Sequence, residues 1–353
     1  MLPSFDLNVA DPATTRYRRT HNTPVRDTED RLNKLYGAWR TILCNSGLEA
    51  VSSVLALIKP KTVIVDDETY FETRHYIQYL GINMRQIPDL NNTSLLALRI
   101  KSAEKPVLVI GDSPSTFAKW LDLKKIRRIT KRYGAYLMVD NSHVSLYYEN
   151  PIAKGADICV ESYTKYVCGH GDAFAGGIAL AESMKWLDDK EVPGPIPGIK
   201  GIDWVLSRRG NVANPHSAYM VARGLETLPV RMKRHTENAT YIYNGLRDIS
   251  VPALYSGCGG LITIPGMTAD FCGRLKRFVT VGTFGCTYSN TDYFRSDTAY
   301  TEGACVRLSV GLEDPEDLLE DVKQAWREVQ CVSWLPPRVR SSWGWLTESQ
   351  SPS

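Results

Sequence analysis

No Cys-x-x-Cys pair occurs among the eight cysteines (Cys44, Cys159, Cys168, Cys258, Cys272, Cys286, Cys305 and Cys331), which excludes a zinc ribbon or a dithiol redox motif. No apolar run approaches the roughly 20 residues of a membrane-spanning helix. The opening MLPSFDLNVADPATTRYRRT lacks the apolar core of a signal peptide. Internal repeats and low-complexity blocks are absent too. The 42 Lys+Arg against 39 Asp+Glu leave a formal charge of +3, too small an excess to argue for nucleic acid or an anionic membrane as partner. What is present is ordinary globular usage, 43% hydrophobic and 23% charged over 353 residues, enough for one large domain and a smaller one. Scattered cysteines without a leader read as buried thiols in a reducing compartment, and so as a cytoplasmic enzyme. No metal is called for.

Residues 1–30 are polar and read as an arm rather than a core element. From there to about residue 200, short β-branched runs alternate with helical patterns. The runs are Thr62–Val65, Val107–Ile110, Tyr136–Val139, Ile158–Val160 and Gly177–Leu180; amphipathic stretches include Thr73–Leu80 and Leu123–Arg132. Alternation of this kind predicts βαβ units and a mostly parallel sheet. Four runs end in polar clusters: Asp66-Asp67-Glu68-Thr69-Tyr70, Gly111-Asp112-Ser113-Pro114-Ser115, Asp140-Asn141-Ser142-His143 and Glu161-Ser162-Tyr163-Thr164-Lys165. Ligands sit at the carboxyl ends of such strands, so the four point at one shared site. After the Pro/Gly loop 194–200, Ala218–Leu246 reads as a long helix interrupted by Pro229. It leads to strands at Gly260–Ile264 and Cys305–Val310, a basic helix near Ala269–Phe278, and a closing helix capped by Asp314 with Pro315 as its first residue. Leu318, Leu319, Val322, Trp326 and Val329 form that helix's apolar face.

Ser162-Tyr163-Thr164-Lys165 is the sharpest local signal. A lysine there can hold a cofactor aldehyde as a Schiff base, and Ser162 and Thr164, on one side of an extended segment, can meet a phosphate. Asn45-Ser46-Gly47-Leu48 opens the helical run Glu49–Leu57, which makes an anion site of its backbone amides. Asp140 ends a buried strand, where a carboxylate needs a partner such as a pyridinium N–H. Arg307 in CVRLSV can clamp an α-carboxylate. Together these residues describe pyridoxal 5'-phosphate chemistry on an L-amino acid.

The chain resembles the Cys/Met-metabolism family of pyridoxal-phosphate enzymes, which includes cystathionine γ-synthase, cystathionine γ-lyase, cystathionine β-lyase and methionine γ-lyase. The resemblance rests on YRRTHNTPVRDTEDRL, CNSGLEA, DDETYFET, GDSPS, MVDNSH, GADICVESYTKYVCGHGDAFAGG, NPHSAYMVARGLETLPVRMKRHTENA and RLSVGLEDPEDLLEDV. It implies an α/β, aspartate-aminotransferase-like (fold type I) chain with a mostly parallel central sheet and a smaller C-terminal α/β domain. The implied parts are an arm contacting the neighbouring subunit (1–30), a cofactor-binding domain (31–225), a small domain (226–335) and a frayed tail (336–353). A homodimer or homotetramer with shared sites is implied as well. By resemblance Lys165 carries the cofactor and moves protons at Cα, and Asp140 pairs with the pyridine nitrogen. Gly47 and Leu48 (main chain), Ser162 and Thr164 hold the phosphate, and Tyr17 and Arg19 reach the phosphate of the neighbouring subunit. Tyr70 stacks on the cofactor ring and exchanges protons with the leaving group, and Arg307 binds the substrate carboxylate. His143 and His170 are read as making local structural hydrogen bonds, and Cys168 and Cys286 as buried thiols.

Departures from the family pattern cluster where the substrate side chain belongs. The asparagine of S-P-x-N-P is missing at Ser113-Pro114-Ser115-Thr116-Phe117. The G-G-x-E-S loop is reduced to Thr283-Phe284-Gly285-Cys286-Thr287-Tyr288-Ser289, and Glu72 stands two residues after the stacking tyrosine. Glu72 and Thr283 are therefore substrate-binding candidates, Glu72 as an extra base, in a specialised member with an unusual substrate. The expected activity is γ-elimination from a γ-substituted L-amino acid. The alternatives are γ-replacement, β-elimination, or a catalytically idle homologue serving as a scaffold.

Overall fold

The computed structural model describes residues 10–11, 16–17, 22–189, 201–295 and 304–333. The loop read at 194–200 and the tail 336–353 lie outside these residues. In chain order the elements are β1 (Ala10–Asp11), β2 (Arg16–Tyr17), α1 (Thr23–Tyr36), β3 (Arg40–Cys44), α2 (Gly47–Ile58), β4 (Thr62–Asp66), α3 (Phe71–Tyr79), β5 (Asn83–Ile87), α4 (Thr93–Lys101), β6 (Val107–Asp112), α5 (Leu123–Tyr133), β7 (Ala135–Asp140), α6 (Ser145–Tyr148), β8 (Ile158–Glu161), β9 (Gly176–Leu180), α7 (Gly201–Arg209), α8 (Pro215–Asp248), β10 (Leu254–Tyr255), β11 (Leu261–Pro265), α9 (Ala269–Arg274), β12 (Val279–Thr280), β13 (Asn290–Phe294), β14 (Cys305–Ser309) and α10 (Pro315–Ser333).

Seven strands form the large sheet in the order β3-β9-β8-β7-β6-β4-β5. Strands β5, β4, β6, β7 and β8 run parallel, and β9 is antiparallel to both β8 and β3. Side chains alternate between two helix-covered faces, as a parallel sheet buried on both sides requires. Val63, Val65, Leu108, Ile110 and Met138 face one core cluster; Ile64, Val107, Val109, Leu137 and Val139 face another. The smaller sheet, β10-β11-β14-β13-β12, packs with α9, α10 and the second half of α8 around Ile262, Val306, Leu308 and Leu318.

Two expectations need correcting. The arm read over residues 1–30 ends in a core element, because α1 starts at Thr23 with Pro24 in its first turn and buries Val25, Leu32 and Tyr36. Polar composition hid a helical stripe. Pro229 does not interrupt the long helix either: α8 runs unbroken through it, and through residues 225–226, for 34 residues. A proline in a helix interior costs about 3 kcal/mol. Buried Leu225, Leu228 and Met232 each contribute about 1.5–3 kcal/mol, so packing wins.

Helix α8 also braces the turn that follows β8. Buried Arg231 donates to the carbonyls of Tyr166 at 2.6 Å, Val167 at 3.2 Å and Gly224 at 2.8 Å. Gly224 has no room for a side chain, since a Cβ there would lie 2.0 Å from Val167 O. Gly224→Ala is expected to lower stability by about 1–3 kcal/mol through overpacking against backbone. A urea midpoint equal to that of the unsubstituted protein would disprove this.

Candidate functional site

The carboxyl ends of β6, β7 and β8, the start of α2 and the residues after β4 enclose a cavity of about 360 Å³, closed from the small-sheet side by Gly282, Phe284, Asp292, Phe294 and Arg307. The four polar strand ends of the sequence thus meet. Of the residues singled out there, Gly47, Leu48, Tyr70, Glu72, Asp140, Ser162, Thr164, Lys165 and Arg307 all line the cavity. Thr283 is not among the lining residues; its hydroxyl accepts a hydrogen bond from Lys165 Nζ at 3.1 Å. Arg19 and the side chain of Tyr17 lie outside the described residues.

Segment 162–168 is a turn, not the extended stretch expected for Ser162 and Thr164. Lys165 N–H donates to Ser162 O at 3.1 Å and Cys168 N–H to Tyr163 O at 2.8 Å. The strand ends at Glu161 because the chain must reverse here. Thr164 Oγ1 is tied to Ala175, donating to its carbonyl and accepting from its amide, both at 3.1 Å. Ser162 Oγ has no bond among the described residues, which makes Ser162 the freer donor of the two.

Lys165 is mostly buried, and burial first, then the Arg307 charge, lowers its ammonium pKa to about 8. Its Nζ lies 4.7 Å from the centre of the Phe284 ring. Arg307 sits on β14 with its guanidinium carbon 4.8 Å from both the Phe284 and Phe294 ring centres. One Nη lies 3.4 Å from Asp292 Oδ2. Tyr70 stands at the start of α3, and its amide donates to Asp112 Oδ2 at 3.1 Å. Burial raises its phenol pKa, and Glu72 adds to the effect.

Asp112 and Asp140 are register partners on neighbouring parallel strands. Ser142 distinguishes them: its amide, at 2.9 Å, and its hydroxyl, at 2.6 Å, both donate to Asp140 Oδ1. Burial raises both carboxyl pKa values, that of Asp112 well above the ordinary range with Asp140 as second cause. The bonds from Ser142 favour the ionised form of Asp140 and the Tyr70 amide that of Asp112, while burial opposes both and does so more strongly at Asp112.

Pyridoxal phosphate fits these residues. Gly47 must be glycine, since a Cβ would lie 2.8 Å from that of Ser162. The bare backbone leaves the first amides of α2, which have no helical acceptor, open to an anion. Asp112 Oδ1 and Arg307 Nε are buried polar atoms without partners among the described residues, as expected of a site shaped for a polar ligand.

Sequence reasoning passed over Asp112, Asp292, Phe294 and the cavity-facing position of His143. His170 Nδ1 lies 2.6 Å from Cys168 O, a local hydrogen bond, whereas His143 Nδ1 lies 2.9 Å from Pro114 O, 29 residues away in sequence. His143 also lines the cavity, and burial, followed by Arg307, lowers its pKa to about 4, leaving it neutral. Asp112 was visible as a strand-end carboxylate; Asp292 carried no signal, because β13 has no clear alternation. Cys168 and Cys286 are buried, free thiols whose pKa values burial raises, that of Cys168 to about 12.

Behind Lys165, buried Glu161 accepts a hydrogen bond from the Tyr36 hydroxyl. Desolvation raises its pKa to about 8 from 4.5. Between those values the folded chain holds a proton that the unfolded chain has lost, so Glu161 makes stability fall as pH rises through that window. Glu161→Gln is therefore expected to flatten the loss of urea stability between pH 5 and pH 8 (roughly the window that linkage defines). An unchanged slope would refute it.

A model of the Cys/Met metabolism PLP-dependent enzymes matches residues 5–249. Cystathionine gamma-lyase of Sus scrofa is 28% identical over 349 residues, covering 88% of this chain and 82% of its own. Cystathionine beta-lyase of Lactococcus lactis subsp. cremoris is 28% identical over 354 residues, covering 90% of each. The crystal structure of a methionine gamma lyase from Micromonospora echinospora superposes with a TM-score of 0.79 at 24% identity, over 92% of this chain and 93% of that one. That likeness establishes the fold, type I of the pyridoxal-phosphate enzymes. Equal identity to gamma- and beta-lyases leaves the position of bond cleavage to the site itself.

Proposed function

The chain belongs to the Cys/Met metabolism PLP-dependent enzymes, and from that premise we propose that it eliminates a substituent from Cγ of an L-amino acid. One observation carries this reading: three side chains able to move protons, Lys165, Tyr70 and Glu72, line one cavity. Cleavage at Cβ needs a proton taken from Cα and one given to the leaving group. Cleavage at Cγ needs a further proton taken from Cβ, and so a richer set of acids and bases.

Pyridoxal phosphate, when bound, supplies the electron sink that stabilises negative charge at Cα. In this reading Asp140, kept ionised by Ser142, pairs with the ring nitrogen. The amides of Gly47 and Leu48, with Ser162 and Thr164, hold the phosphate. Arg307 binds the substrate α-carboxylate, oriented by the faces of Phe284 and Phe294. Lys165 anchors the cofactor and, in the fraction that its lowered pKa of about 8 leaves as free amine, takes the Cα proton. Tyr70, whose pKa is raised, delivers a proton to the departing group, and Glu72 takes the Cβ proton in the same reading. Phe174 lies at the cavity wall yet is 75% exposed. Its exposure supports an assembled form in which a neighbouring subunit, with its own Tyr17 and Arg19, covers the opening. A cytoplasmic site of action is part of the same proposal, supported by the free cysteines.

The test is to record the absorbance of the purified protein, then add γ- and β-substituted L-amino acids and identify the keto acid released. A four-carbon keto acid with ammonia is expected from the γ-substituted series. Pyruvate from the β-substituted series alone would replace this reading by β-elimination. A new amino acid formed without ammonia would replace it by γ-replacement. A protein that takes up no cofactor would favour the scaffold reading.

A further inference from the structure

We propose that the cavity selects its substrate by the charge of the side chain, admitting a neutral or positively charged γ-substituent and rejecting one that carries a carboxylate or phosphate. The inference rests on the reading above and adds the substrate class to it.

Charge on the cavity wall is unequal. Among the described residues it carries four carboxyl groups, Glu72, Asp112, Asp140 and Asp292, and only two cations, Lys165 and Arg307. Both cations are committed in the proposed mechanism, Lys165 to the cofactor and Arg307 to the α-carboxylate. Asp140 is committed to the ring nitrogen, and burial favours the neutral acid of Asp112. Glu72 and Asp292 remain as the carboxyl groups facing the rest of the substrate, Asp292 with Arg307 as its counter-charge at 3.4 Å and with its pKa raised by burial, and no wall cation among the described residues is left to balance a second anion.

Their placement follows from the elements that carry them. Asp292 and Phe294 are two apart on β13, so they share a face of that strand. Phe294 packs on Phe71 with ring centres 6.3 Å apart, which brings the first turn of α3, and with it Glu72, to the face that presents Asp292. Around the two carboxylates the wall is aromatic: Tyr70, Phe71 and Phe294. Carboxylates among aromatic faces favour cations and tolerate neutral groups, and they repel a desolvated anion that finds no partner.

The test uses the holoenzyme and ligands with no γ-leaving group, so that binding is read without turnover. L-2-Aminoadipate, its isosteric side-chain amide and L-lysine are titrated by calorimetry. Aminoadipate is expected to bind at least about tenfold more weakly than the amide, and lysine at least as tightly. Glu72→Gln and Asp292→Asn should each narrow the gap between aminoadipate and amide. Equal affinities for all three ligands, or a gap unchanged in both variants, would overturn the proposal. Failure of the elimination reading is separately visible: γ-substituted amino acids would then yield no keto acid while the binding preference persisted.

Discussion

On the proposed role of Lys165, Lys165→Ala is expected to lower turnover of any amino-acid substrate by ~10³-fold or more, the scale of removing a group that both transfers a proton and anchors the cofactor. Four features of this chain support so large an effect. Burial and Arg307 hold the ammonium pKa at about 8, so an appreciable fraction is free amine at neutral pH, which an exposed lysine does not offer. Thr283 Oγ1 and the Phe284 ring position the nitrogen. The carbonyls of Tyr166 and Val167 just beyond it are clamped by Arg231. No second lysine lines the cavity among the described residues. The check is steady-state turnover beside the visible absorbance of bound cofactor, with circular dichroism to show a folded chain. A folded Lys165→Ala protein retaining a tenth of the activity (a loss of only ~10-fold, about 1.4 kcal/mol) would end the assignment.

Arg307→Ala should lower kcat/KM by on the order of 10²–10⁴, if the proposed pair of charge-assisted hydrogen bonds to the α-carboxylate is worth about 1.5–3 kcal/mol each. Most of the loss should appear in KM, because the contact persists from bound substrate to transition state. A second effect follows from charge. Arg307 is, after burial, the chief cause of the low Lys165 pKa; its removal favours the ammonium, so that pKa rises above about 8. The limb of the pH–rate profile on which activity climbs with pH should move to higher pH. Arg307→Ala with an unmoved limb would show that the guanidinium does not act on Lys165. An unchanged KM would show that the carboxylate is bound elsewhere. Asp292, 3.4 Å away, would then lose its counter-charge, so the variant's stability should be measured as well.

Legibility differed between parts of the site for a physical reason. Lys165, Asp140 and Arg307 were readable because each stands at or next to a β-branched run, where an ionisable group has no local use. Gly47 was readable from a loop opening a helical run. Glu72 and Thr283 stood out only as departures from a family pattern. Asp292 could not be read at all: Asn290–Phe294 is polar and aromatic without clear alternation, and only pairing with Arg307 in the register of β13 and β14 gives its carboxylate a role. The helix of residues 23–36 was missed because its buried stripe includes Thr28 and Glu29, which composition counts as polar.

By itself the sequence determined the alternation of strands and helices, the parallel order they impose, and the residue types from which a pyridine, a phosphate and an α-carboxylate were expected as ligands. Those follow from local pattern: period, cap, and a charge set where a charge is costly. The tertiary structure decided what depends on distance across the chain. It paired Asp112 with Asp140 through strand register and separated them through Ser142. It carried α8 through Pro229 because side chains far apart in sequence bury it. It set Arg307 between Phe284 and Phe294 opposite Asp292. Electrostatic and packing energies depend on separation in space, and residues 72, 112, 140, 292 and 307 become neighbours only once the chain is folded.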